Sequence, residues 1–144
     1  MARTAAAARE ADAAIRVLIA DDSPLLREAL GRFLAELPGV VVVGQSRDGG
    51  DALALATALR PDIVLMDLVM PGVDGLAATR LLKATRPAPA VVICTLEDGD
   101  EVREAARRAG ADALVRKRDL ARQIEGLLLA LTRPDGRATG GRSL

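Results

Sequence analysis

The chain has 144 residues, half of them apolar, with Lys plus Arg and Asp plus Glu balanced at 20 each; that length suits one domain able to bury about 70% of its unfolded surface. The charge balance offers no electrostatic case for nucleic acid or a membrane surface. One cysteine and no histidine exclude an internal disulfide, argue against a zinc site and favour the cytoplasm.

No apolar run approaches the length of about 20 residues that a transmembrane helix needs, and no signal-peptide apolar region opens the chain. Residues 1–14 are Ala-rich without an apolar stripe, so they read as a disordered N-terminal arm. Residues 16–21 form a strand candidate ending in the acidic pair Asp21-Asp22. Ser23-Pro24 then supplies an N-cap and a proline at the first helical position. Leu26, Leu30, Phe33, Leu34 and Leu37 recur at helical spacing, and Pro38-Gly39 stops that helix. Phe33, the lone aromatic, is expected in the core.

Val40 to Gly44 reads as a second buried strand, and Asp51 as the cap of a helix carrying Leu53, Leu55, Ala56 and Leu59. Arg60-Pro61 closes that helix. Residues 62–67 form an apolar run bounded by Pro61 and Pro71 and ending in Asp67, the pattern of a central parallel strand buried on both faces. Asp74-Gly75 opens a third helix. A fourth strand over residues 90–95 ends in Thr95. A helix follows with acids at its start and Arg107-Arg108 at its end, which suits its dipole. Gly110 marks its stop, residues 111–116 form a fifth strand, and Lys117 follows. Asp119 is expected to cap a last helix through Leu131. From Pro134 the composition is that of a disordered tail or the start of a linker, so the domain is placed at 15–132 between an arm at 1–14 and a tail at 133–144.

Strand and helix alternate five times. That pattern predicts an α/β fold: a doubly wound, five-stranded parallel sheet with helices on both faces. In such a sheet all strand ends of one sense lie on one edge, where ligands bind. Asp21-Asp22, Asp67, Thr95 and Lys117 all stand at such ends. Three crowded carboxylates repel, which raises their pKa values or calls for a hard cation such as Mg²⁺. With a hydroxyl to donate to a phosphate oxygen and a lysine to neutralise one, the set suits phosphoryl transfer onto a carboxylate.

At these residues the sequence resembles the receiver domains of two-component response regulators. The resemblance rests on Asp21-Asp22-Ser23-Pro24, the block Met66 to Pro71, Asp74-Gly75, Val92 to Thr95, Gly110 to Ala113, and Lys117, and it spans residues 16–131. It implies a flavodoxin-like sheet in the order 2-1-3-4-5. It implies that Asp67 accepts a phosphoryl group from a histidine kinase or phosphotransfer protein. Asp22, Asp67 and the Val69 carbonyl would hold Mg²⁺ directly and Asp21 through water, while Thr95 and Lys117 would contact the phosphoryl oxygens. Such a chain is no enzyme toward other molecules; it switches partner binding, and a homodimer through the fourth helix, fifth strand and last helix is one candidate arrangement.

The chain departs from the family pattern at three points. Arg118 replaces the proline, often cis, that usually follows the lysine. Leu114 replaces the aromatic that takes part in the switch. The residues after Leu131 are too few for a helix-turn-helix unit, so no nucleic-acid-binding element is expected in this chain. An aspartyl phosphatase would carry a second acid where Val69 stands. A flavin binder would want aromatics, and a dinucleotide binder would need Gly-x-Gly-x-x-Gly after the first strand. A degenerate receiver serving only protein contacts is the remaining alternative.

Overall fold

The computed structural model describes residues 14–132. Of the arm expected over 1–14, residues 1–13 lie outside the described residues, as does the tail expected over 133–144. The elements run β1 (Ile15–Ala20), α1 (Pro24–Ala35), β2 (Val40–Ser46), α2 (Gly49–Leu59), β3 (Ile63–Asp67), α3 (Gly75–Lys83), β4 (Ala90–Thr95), α4 (Asp100–Ala109), β5 (Ala113–Arg116), a 3₁₀ turn (Lys117–Asp119) and α5 (Leu120–Thr132). The five strands are parallel and ordered β2-β1-β3-β4-β5. That is the doubly wound arrangement expected from the alternation.

β3 lies at the centre and every residue of it is buried. Its side chains alternate between two cores. Val64 and Met66 face Ala52, Ala56, Ala78, Leu82 and Ala106 of α2, α3 and α4. Ile63 and Leu65 face Leu30 and Leu34 of α1 and Leu120, Ile124 and Leu128 of α5. The first core is built largely on alanines. Their small side chains leave room for Leu18, Val64, Met66 and Ile93 beneath the helices.

Several expected details differ. β2 is an edge strand, paired only with β1, and is half-buried over most of its length. Phe33 is partly exposed and packs against the rim of the second core. The cap of α2 is Asp48, whose Oδ1 accepts from the Asp51 N–H at 2.7 Å. Asp51 instead adds a negative charge to the first turn, where the helix dipole favours it. Asp119 spends its carboxylate on Arg116 and Arg122, because the 3₁₀ turn already leads the chain into α5. The caps Ser23 and Asp74 stand as expected, accepting from Leu26 N and Ala77 N. Among the described residues the only cis peptide is Arg86–Pro87, so the Lys117–Arg118 bond is trans.

Candidate functional site

The strand register alone brings the chemistry together. Ala20 pairs with Met66, so Asp21, one residue on, stands level with Asp67 on the neighbouring strand. Asp67 pairs with Cys94, so Thr95 follows one residue beyond. Thr95 pairs with Arg116, which leaves Lys117 at the same edge. Adjacent strands lie about 4.8 Å apart, so side chains at these ends meet.

One carboxylate oxygen from each of Asp21, Asp22 and Asp67 falls within 4.8 Å of the other two. Asp21 and Asp67 are buried and Asp22 is exposed. Between the buried pair stands Lys117, whose Nζ lies 2.8 Å from Asp21 Oδ2 and 3.0 Å from Asp67 Oδ1. Backbone donors add to this: Ser23 N–H reaches Asp21 Oδ1 at 2.8 Å and Val69 N–H reaches Asp67 Oδ1 at 3.4 Å. Gly75 holds the base of the site, since a Cβ there would collide with the Asp67 carbonyl as α3 passes over it.

Three negative charges thus share one positive charge. Burial drives the Asp67 carboxyl above its ordinary value; the Lys117 hydrogen bond opposes this and the nearby Asp21 charge adds to it. For Lys117, burial works against the charged form, but hydrogen bonds to Asp21 and Asp67 outweigh it and hold the ammonium above the usual lysine value. The arrangement keeps Lys117 charged and leaves the carboxylates short of cation. Three hard oxygen ligands converging at this spacing, two from buried residues and one from the open side, fit a small divalent cation that keeps part of its water shell.

Thr95 is buried at the end of β4. Its Oγ1 donates to the Glu97 carbonyl at 2.7 Å and accepts from the Glu97 N–H at 3.3 Å, so it engages its own loop and not the acid cluster. Leu114 is buried in the core beneath α4 with Val91, Ile93 and Ala106, away from the acids. Cys94 lies beside Asp67 in the ladder, but burial pushes its thiol up to about 12, so it remains a small apolar side chain. Sequence reasoning passed over Arg27, whose guanidinium donates to the Asp21 carbonyl at 2.6 Å and ties α1 to the site. The signal was legible: Arg27 is the first basic residue after the acidic pair, on the helix that the pair begins.

Similarity to known proteins agrees with this geometry. The profile of the response regulator receiver domain matches residues 17–127. Protein-glutamate methylesterase/protein-glutamine glutaminase 4 of Myxococcus xanthus is 45% identical over 104 residues, 72% of this chain and 30% of its own length. Response regulator GacA of Pseudomonas aeruginosa is 44% identical over 103 residues, 72% of this chain and 48% of its own length. The chain thus spans less than half the length of these relatives. Among solved structures, the response regulator domain of Thermotoga maritima CheB superposes with a TM-score of 0.74 at 29% identity, covering 80% of this chain and 93% of that one. A LuxR-family two-component response regulator from Aurantimonas sp. SI85-9A1 superposes with a TM-score of 0.74 at 34% identity, covering 87% of this chain and 94% of that one. With the sheet order, the acid cluster and the profile in agreement, the chain belongs to the response regulator receiver domain family of two-component signalling.

Proposed function

We propose that this chain, with residues 15–132 as its receiver unit, takes a phosphoryl group onto Asp67 from a histidine kinase or phosphotransfer protein in the cytoplasm and thereby switches partner binding. The observation that carries the reading is the meeting of Asp67 with Asp21, Asp22 and Lys117 at one sheet edge. An Asp67 carboxylate oxygen attacks phosphorus. The P–N bond to the donor's imidazole breaks, its electron pair stays on that nitrogen, and a proton from solvent completes the imidazole. The product is an acyl phosphate on Asp67.

Mg²⁺, held by Asp22, Asp67 and the Val69 carbonyl, and by Asp21 through water, would neutralise charge on the phosphoryl oxygens. Lys117 exchanges its contact with Asp67 for a phosphoryl oxygen and keeps Asp21 as its anchor. Thr95 turns its hydroxyl from the Glu97 carbonyl to another phosphoryl oxygen. That exchange frees the loop from Leu96 to Gly99 and the start of α4. Leu114, buried beneath α4 and smaller than an aromatic, cannot fill the vacated space and offers no hydrogen bond of its own. The output surface is the face of α4, β5 and α5, where Arg103, Arg107, Arg116 and Arg122 are held by Asp98, Glu104 and Asp119; a homodimer through this face is one use of it. The chain acts on itself and on no other substrate.

Acetyl phosphate with Mg²⁺ tests the assignment by intact mass. Wild type is expected to gain one phosphoryl group and Asp67→Asn none. Equal labelling of the two proteins would remove Asp67 as the acceptor.

A further inference from the structure

Under the edge where the strands begin lies a cavity of about 800 Å³ in which the phosphoacceptor reading has no part. The C-terminal ends of α2, α3 and α5 surround it, with the loop from α3 to β4 as one wall. It joins the two helical layers, because α2 and α3 pack on one face of the sheet and α5 on the other. Pro61, Leu82, Pro87, Pro89 and Leu131 give it apolar surface. Its size and mixed lining are those of a small-molecule site.

The charges around it are unevenly matched. Asp112 accepts from Lys83 and from the Val91 N–H, and Asp62 accepts from the Arg16 N–H, so both acids at the cavity are occupied. Arg60 and Arg86 also line it, both are exposed, and neither pairs with a carboxylate among the described residues. Arg86 Nη1 donates to the Lys83 and Thr85 carbonyls at 3.3 and 3.0 Å, which leaves the rest of its guanidinium open. Arg60 is also the only non-glycine residue at positive φ among the described residues, at 50°. It is the left-handed cap that closes α2, where glycine or asparagine costs the backbone less. The helix dipole favours a cation at that end, but the guanidinium makes no direct contact that would repay the strain. The fold therefore does not account for an arginine at this wall.

We propose that this cavity binds a small organic anion, in which a carboxylate or phosphate monoester is gripped by Arg60 and Arg86 and a compact apolar body lies against the prolines, Leu82 and Leu131. Guanidinium groups present paired N–H donors that match either oxyanion. Partial enclosure strengthens that contact over its value in open water. A neutral body would fill the space and leave both guanidiniums as they are, and a cation would be repelled. An extended peptide would seek free strand backbone, but the adjoining strands β3 and β4 are interior and already paired on both sides. The site is independent of the phosphoacceptor reading, since Asp67 stands at the opposite edge.

Amide chemical shifts in the absence of Mg²⁺ test the proposal, with benzoate and phenyl phosphate as probes and benzamide and inorganic phosphate as controls. At least one organic anion is expected to saturate with a Kd of about 1 mM, as suits so small a ligand. Its shifts should centre on residues 57–62, 82–90 and 130–132, and the tighter probe identifies the anionic group. Benzamide and inorganic phosphate should bind at least about tenfold more weakly. Arg60→Gln and Arg86→Gln should each weaken the anion about tenfold, while Arg80→Gln, on an exposed face of α3, matches wild type. Arg60→Gly separates binding from folding: its backbone suits glycine, so its melting temperature should equal or exceed that of wild type while affinity falls. The proposal is overturned if neither organic anion saturates, if benzamide or inorganic phosphate binds as well, if both glutamine variants keep wild-type affinity, or if the shifts centre on Asp67. A wild-type dimer that Arg60→Gly dissociates, with no anion bound, would give the cavity to a second copy and overturn it equally.

Discussion

The two edges of the sheet use the same residue types to opposite effect. At the edge where the strands begin, Asp112 Oδ2 accepts from Lys83 Nζ and from the Val91 N–H, both at 2.8 Å, and Lys83 Nζ also donates to the Pro89 carbonyl at 3.0 Å. Asp62 Oδ2 accepts from the Arg16 N–H at 2.9 Å. Each of these two acids stands just before a strand and ties the first residues of its neighbour. At the edge where the strands end, Asp21 and Asp67 divide one lysine, with Asp22 beside them. The first edge pairs charge with charge and stitches the fold. The second leaves an excess of negative charge in a partly buried place, which costs stability and suits a hard cation. Burial alone therefore does not tell a satisfied carboxylate from a crowded one; the number of cations and donors per carboxylate does.

The largest expected effect is at the satisfied edge. Asp112→Ala takes the paired anion from the Lys83 ammonium, which keeps the Pro89 carbonyl, and the acceptor from the Val91 N–H, and is expected to cost about 3 kcal/mol. Urea unfolding measures it, and a loss below about 1 kcal/mol would show that water replaces the carboxylate there.

Next comes the metal at the unsatisfied edge. A ligand that binds only the folded state stabilises it by about 2.7 kcal/mol at a hundred times its dissociation constant. Thermal melts should therefore rise with Mg²⁺ in wild type and stay flat in Asp22→Ala. Parallel rises in the two proteins would mean that the cation sits elsewhere.

A smaller effect, of opposite sign to the first, is expected for Asp67→Asn in the absence of metal. Removing one charge from the crowded site should stabilise the fold by about 1 kcal/mol after allowing for solvent at the rim. The sign follows from the raised carboxyl: the folded chain holds the Asp67 proton more tightly than the unfolded one, so this contribution is whole below the ordinary value of 3.8 and is lost as pH climbs through the higher folded value. The stability gap between Asp67→Asn and wild type should accordingly widen with pH across that acid window and level off above it. A gap that narrows over the same window would mean that Lys117 already more than neutralises the site.

The smallest effect concerns persistence. Val69 is exposed two residues beyond Asp67, and its side chain has no group to orient an attacking water. Val69→Asn is expected to shorten the lifetime of the acyl phosphate several-fold, a change of about 1 kcal/mol in the barrier. Decay of the labelled protein after removal of the donor measures it, and an unchanged lifetime would make Val69 indifferent.

Much of this was legible in the sequence. The apolar run into Asp67, the acidic pair before Ser23-Pro24 and the lysine after the last strand are local signals, because a parallel strand buried on both faces must be apolar and must stop where charge begins. The two Pro/Gly stops and the Ser23 and Asp74 caps are equally local. Asp48 was missed as a cap because Asp51 offers the same chemistry three residues later, and only the start of the helix distinguishes them. β2 was read as buried because Val40 to Val43 look like a central strand; its place at the edge depends on the order of the strands, which no single strand encodes.

Sequence by itself determined the alternation of elements and the strand ends at which charge appears. Only the tertiary structure decided which residues touch there. It placed Lys117 between Asp21 and Asp67, turned the Thr95 hydroxyl toward Glu97, buried Leu114 beneath α4, and gave Asp112 its own lysine, Lys83, while Asp67 shares Lys117 with Asp21. The reason is physical. Element type follows from periods of two and 3.6 along the chain, whereas the state of a carboxylate depends on how many donors and cations converge on it from residues tens of positions away.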